Sequence, residues 1–178
     1  TWDSNATPSP SMGVTTVVVG NCGFSIAPCR PDCRDLIARN LAEVEGMSLT
    51  ALLSGTNWDF ESFDEYLALL RRKGVTPNVA AFIGHSAVRT MVMGPEASER
   101  AAREDEVAEM RDLVRGGIDA GAIGFSTSTS INHYGDGGVP MPSRLAEESE
   151  MRSLVGVLGE KGRGVFQLTV GPSMTSEV

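Results

Sequence analysis

Four short apolar runs punctuate the chain: TTVVV at Thr15–Val19, VAAFI at Val79–Ile83, AIGF at Ala122–Phe125 and GVFQL at Gly164–Leu168. None alternates cleanly between polar and apolar positions, the pattern of strands covered on both faces of a parallel sheet. Amphipathic segments fall between them. Ser62 and Glu65 read as a capping box, followed by Phe63, Tyr66, Leu67 and Leu70 at helical spacing, a basic last turn at Arg71, Arg72 and Lys73, and Gly74 as the stop. The spacing predicts a second helix from about Ser98 to Arg115, with Val107, Met110 and Val114 inward and Gly116-Gly117 closing it. A third is predicted from about Ala146 to Lys161, with Met151, Leu154, Val155 and Leu158 inward and Gly162 after it. A shorter helix is expected to start near Asp32, with Leu36, Ile37 and Leu41 inward. Met12, Met91, Met93 and Met110 are expected in the core.

Strands and helices that alternate in this way make βαβ units and an α/β fold. Four such units are half of an eight-fold barrel, or a small open sheet. The connections after the strands are long, as in barrel enzymes that build their sites there. Half a barrel leaves strand edges unpaired, so the chain is expected to be part of a longer protein.

Bulk composition narrows the picture a little. The 178 residues, 41% hydrophobic and 21% charged, suit one domain of a globular protein. A net charge of −8 argues against a nucleic acid or an anionic membrane as partner. No apolar run nears the roughly 18 residues of a membrane span. The 3 cysteines, spaced C-x6-C-x3-C, imply no disulfide framework, and a reducing, cytoplasmic setting is expected.

Polar residues gather where the apolar runs stop. The first run leads into Asn21-Cys22, the second into Gly84-His85-Ser86 and the third into Ser126-Thr127-Ser128, while the fourth carries Gln167 and Thr169. In a parallel βα fold these ends share the carboxyl face, where ligands bind, and both histidines, His85 and His133, are expected on it. Each residue has a plainer alternative. Cys22 is either functional or a half-buried packing thiol, and Cys29 and Cys33 are read as structural. Spacings of x6 and x3 suit a three-thiol zinc site poorly. His85 taken alone is a packing or supporting residue, His133 a solvated loop residue, and the Ser/Thr run turn chemistry. The charge run SERAAREDEVAEMRD is a solvated helix face. Phosphate-binding, dinucleotide-binding, serine-hydrolase-elbow, Cys-X-X-Cys and H-E-x-x-H motifs are all missing from the sequence.

The stretch GVTTVVVGNCGFSIAP (Gly13–Pro28) resembles the second barrel strand of the N-acyl-D-amino-acid deacylase (D-aminoacylase) group of the amidohydrolase superfamily. Further likenesses follow in the group's order: WDFESFDEYL from Trp58, FIGHSAVR from Phe82, GAIGFST from Gly121 and PSR from Pro142. The resemblance implies a zinc-dependent hydrolase on a (β/α)8 TIM barrel, of which residues 1–178 form part of one barrel domain with about four βα units. It implies cleavage of a non-peptide C–N amide bond, releasing a carboxylate and a D-amino acid. By the same resemblance Cys22 is a metal ligand for one or two Zn2+ ions in the full-length enzyme. The general acid/base is a late-strand carboxylate outside this chain, so no catalytic residue is assigned within it. The first-strand His-x-His pair would precede the opening TWD, and the segment alone is expected to be inactive. Where the group carries a fifth-strand histidine, GVFQLTV offers Gln167 and Thr169. His85, Ser126, His133, Tyr134 and Asp136 are the candidates for substrate binding. The implied partner is a small N-acyl amino acid or related amide, and a homo-oligomer is compatible with it. The alternative is a non-catalytic barrel that serves as a small-molecule binding module.

Overall fold

A computed structural model describes residues 3–171. Its elements, in chain order, are β1 (Thr16–Val19), α1 (Arg34–Glu45), α2 (Leu49–Gly55), α3 (Phe63–Lys73), β2 (Asn78–Gly84), α4 (His85–Met93), α5 (Glu104–Ala120), β3 (Gly124–Ser128), α6 (Glu148–Lys161) and β4 (Val165–Thr169). The strands form one parallel sheet in the order β1-β2-β3-β4.

Burial explains most of this arrangement. Ala81 and Ile83 on β2 and Phe125 on β3 meet Phe63 and Leu67 of α3, Met110, Val114 and Ile118 of α5, and Leu154, Val157 and Leu158 of α6. Each large apolar side chain removed from water there contributes about 1.5–3 kcal/mol, so one helical layer is held to one sheet face. The expected cap of α3 is present: Ser62 Oγ accepts from the Glu65 amide at 3.1 Å, and Glu65 returns a bond to the Ser62 amide at 3.0 Å. Gly74 and Gly162 end α3 and α6 in left-handed conformations.

Several expectations need correction. The third strand begins at Gly124 and takes in the whole Ser126–Ser128 run, because pairing with β4 extends that far (Ser128 opposite Thr169). Helix α5 starts later than expected and runs through Gly116-Gly117 to Ala120; Ile83 packs directly over Gly117, so the small residue serves packing and ends nothing. Helix α2 and the immediate helix α4 carried too short a periodic pattern to be read. Met12 is 79% exposed and outside the core, whereas Met93 and Met110 are buried. The edge strands are not covered on both faces: Val18 on β1 is 46% exposed and Val165 on β4 is 56% exposed.

Candidate active site at the strand ends

The stretch GNCG sits on the single 3-10 turn Asn21–Gly23 directly after β1. Gly20 has φ +81, and a Cβ there would stand 2.6 Å from the Phe82 carbonyl oxygen, so only glycine fits. Gly84, at the end of β2, is needed for a similar reason: a Cβ would lie 2.7 Å from the Gly23 carbonyl oxygen. Cys22 itself holds φ +59 without being glycine. Such a conformation costs an L-residue about 1–2 kcal/mol and persists only where neighbours over-determine it.

Those neighbours are hydrogen bonds from distant strands. Ser126 of β3 donates through Oγ to the Gly20 carbonyl and accepts from the Gly23 amide at 3.1 Å. Gln167 of β4 accepts from the Cys22 amide at 2.7 Å. The Gln167 side-chain amide donates to Thr169 Oγ1 at 3.0 Å, and Thr169 Oγ1 donates to Cys22 Sγ at 3.2 Å. A closed ring of three bonds thus joins the end of β1 to the end of β4. In a flat sheet, strands three positions apart lie about 14 Å from each other, so this ring forms only because the sheet curls. The turn at Cys22 spans the concave mouth of a half-barrel.

His85, the first residue of α4, lies on the other side of β3. It is wholly buried, with Nδ1 2.8 Å from Thr127 Oγ1 and Nε2 2.8 Å from Glu150 Oε1. Glu150, on α6, also accepts from Arg89, whose other guanidinium nitrogen donates to the carbonyls of Ala97 at 3.3 Å and Arg100 at 2.8 Å. Burial pulls His85 below the ordinary imidazole value; Glu150 opposes this and Arg89 reinforces it. Burial raises Glu150, but the bonds from His85 and Arg89 outweigh it and hold the carboxyl below its ordinary value. A neutral His85 therefore donates Nε2–H to an ionised Glu150 and accepts the Thr127 hydroxyl proton at Nδ1. His85 does not face the mouth.

The remaining candidates separate clearly. Ser126 is fully buried and committed to the Cys22 turn. His133 is half-buried, 4.8 Å from the Phe24 ring between centroids, with Nδ1 2.7 Å from Ser128 Oγ. Tyr134 is exposed beneath the Arg144 guanidinium, 4.9 Å from its ring centroid. Asp136 docks the long loop on α1: its amide donates to Asn40 Oδ1 at 2.9 Å and its carboxylate lies 3.9 Å from Arg39. Sequence reading missed Glu150 and Arg89. The signal available was His85 and Arg89 at i and i+4 on one helix face, two buried polar groups that need a common acceptor.

No family model matches this chain. The D-aminoacylase of Alcaligenes xylosoxydans xylosoxydans is 43% identical over 122 residues, which are 68% of this chain and 22% of that protein. The N-acyl-D-glutamate deacylase of the same organism is 33% identical over 153 residues, 85% of this chain and 26% of the relative. Among solved structures, that of a D-aminoacylase assigned to a novel subset of amidohydrolases superposes with a TM-score of 0.66 at 33% identity, over 92% of this chain and 30% of the other. The chain belongs to the D-aminoacylase family of amidohydrolases. The curled sheet is accordingly half of the family's TIM barrel. The N-acyl-D-glutamate deacylase of Bordetella bronchiseptica, solved with zinc and a phosphonate mimic of the tetrahedral intermediate, matches with a TM-score of 0.63 at 28% identity over 90% of this chain. Another D-aminoacylase structure concerns a binuclear metal centre. This chain spans less than a third of the length of these relatives.

The donor set here fits such a metal only in part. Cys22 offers one sulfur at the mouth, a soft ligand suited to zinc. Among the described residues no three of His, Cys, Asp or Glu come together to hold an ion. The other two thiols are removed from the mouth chemistry: Cys29 and Cys33 are buried, and burial together with Cys33 pushes Cys29 up to about 12. Burial raises Cys33 as well, against the pull of Arg30. No helix among the described residues is long and apolar enough to cross a membrane.

Proposed function

We propose that this chain is the Cys22-bearing half of the barrel of a zinc-dependent N-acyl-D-amino-acid deacylase, which hydrolyses an amide to a carboxylate and a D-amino acid. One observation carries the reading. Cys22 stands at the carboxyl mouth of a half-barrel, in a strained turn secured from two other strands, within a chain 43% identical over 122 residues to a D-aminoacylase. A thiol held in that way is a ligand awaiting an ion shared with other parts of the protein. A metal bound there would polarise the amide carbonyl and lower the pKa of a water molecule to make the attacking hydroxide.

The chain's own residues supply position. Ser126 and Gln167 fix the Cys22 backbone, and Thr169 orients its sulfur. We read His133 and Tyr134 as residues that meet the substrate, carried on the loop after β3 that Asp136 docks on α1. Three free thiols suit a reducing compartment, which supports a cytoplasmic location.

A second reading, a barrel that binds small molecules without turnover, has one observation in its favour. The side chains of β4 that meet Cys22 are an amide and a hydroxyl, not an imidazole.

Metal content of the full-length protein and of Cys22→Ala, with a panel of N-acyl-D- and N-acyl-L-amino acids, separates the two. We expect near-stoichiometric zinc in the wild type, a sharp loss in the variant, and release of D-amino acids. Equal metal in both proteins would remove Cys22 from the centre. Metal without turnover of any substrate would leave the binding module.

A further inference from the structure

The chemistry presented by His133 follows from counting protons around Ser128. Ser128 is wholly buried, and its hydroxyl oxygen accepts the Ser130 amide at 3.1 Å. Its own proton needs an acceptor, and the one within reach among the described residues is His133 Nδ1 at 2.7 Å. An imidazole that accepts at Nδ1 while neutral carries its proton on Nε2. Partial burial, reinforced by Arg144 and opposed by Glu45, keeps His133 below the ordinary imidazole value and so supports the neutral form.

His133 Nε2 has no partner among the described residues. It is not one of the buried nitrogens left unpaired, which are those of Arg34 and Arg89, so it reaches solvent. The ring cannot turn freely to hide it. Phe24 packs edge-on at 4.8 Å, and Arg144 holds the His133 carbonyl at 3.0 Å. Phe24 follows the Cys22 turn directly, and Ser128 lies two residues beyond Ser126 on the same face of β3, the face that holds the turn. The fixed N–H therefore opens beyond the end of β3, on the strand face that holds the Cys22 turn.

We propose that His133 is a specificity-determining hydrogen-bond donor, whose Nε2–H receives a carbonyl or carboxylate oxygen of the ligand. Ser128 is the positioning residue that locks the tautomer. This rests on the deacylase reading for its choice of ligand, an N-acyl amino acid, which offers both kinds of oxygen. A neutral N–H aimed outward from a half-buried site selects acceptors and rejects donors and cations, because only an acceptor leaves no polar group unpaired.

The test uses the full-length protein with 15N-labelled histidine. Long-range proton–nitrogen spectra should show His133 as the Nε2–H tautomer in the wild type and as a mixture in Ser128→Ala. Addition of N-acetyl-D-alanine should shift the His133 Nε2 resonance. The methyl ester of that compound separates the two oxygens: a lost shift assigns the carboxylate, and a retained one the acyl carbonyl. In turnover, His133→Leu should raise KM roughly five- to tenfold with kcat little changed, and His133→Gln, which keeps an N–H donor, should recover most of that loss. An Nδ1–H tautomer in the wild type, or a ligand that leaves His133 unmoved in wild type and KM unmoved in His133→Leu, would overturn the proposal. A wild type that binds the ligand at His133 but releases no amino acid would end the deacylase reading and leave this one standing.

Discussion

The chain's two histidines make a natural experiment in what a strand does to its neighbours. Thr127 and Ser128 are adjacent on β3 and give their hydroxyls to Nδ1 of His85 and of His133 in turn. Alternation along a strand sends the two hydroxyls to opposite faces of the sheet. On the helical side His85 is sealed in, with Glu150 at its second nitrogen. On the concave side His133 keeps its second nitrogen for solvent or a ligand. The same imidazole, with the same kind of hydroxyl partner, is a sealed structural post in one place and, in the role proposed above, a donor to the ligand in the other. The whole difference lies in which side of the sheet it is on.

The largest test of that contrast is Glu150→Ala. It leaves Arg89 charged, buried and without its carboxylate, and should cost about 3–5 kcal/mol by denaturant unfolding. A loss below about 1 kcal/mol would mean that the network is not what holds α4 to α6. Next comes Thr127→Val, which keeps shape but removes the proton donated to His85; an unsatisfied buried acceptor predicts about 1–3 kcal/mol.

Acid should act on the same buried side. His85 and Glu150 both titrate below their ordinary values of 6.5 and 4.5 when folded. The unfolded chain therefore takes up each proton first, and stability declines as pH falls through 6.5 and again below 4.5. His133 is also lowered, chiefly by partial burial, so it adds to the upper step. Unfolding curves of wild type and His133→Gln between neutral and mildly acidic pH should both slope downward. A flat profile in His133→Gln would assign the effect to the mouth instead. Ser128→Ala should cost about 1–2 kcal/mol, at the low end of the series, because the buried Ser130 amide loses its acceptor while water can serve the half-buried His133.

Cysteines repeat the pattern. Brief alkylation of the native protein, read by peptide mass, should mark Cys22 well before Cys29 and Cys33, whose burial keeps them protonated. Faster labelling at Cys29 or Cys33 would contradict the buried flank.

Much of the architecture was legible in the chain. The four apolar runs became the four strands, and the capping box at Ser62 and the glycines after Lys73 and Lys161 marked real helix ends. Local signals of that kind survive because caps and stops act over three or four residues. The first turn of α4 was hidden, since a helix whose N-cap is the last strand residue, Gly84, has no separate capping side chain to announce it. Gly116-Gly117 misled because a packing glycine and a terminating glycine look alike in sequence.

For the site, sequence alone determined the inventory: a thiol, two imidazoles and several hydroxyls at strand ends, with the strand-end cysteine carrying the family likeness. Tertiary structure decided their allegiance. Only the curl of the sheet brings Gln167 and Thr169 to Cys22 across 145 and 147 positions of chain. Only the packing of α6 behind β3 supplies Glu150 and turns His85 into a buried post. Spacing along a strand specifies that two neighbours face opposite ways; which way leads to the mouth depends on the surfaces that the rest of the fold buries.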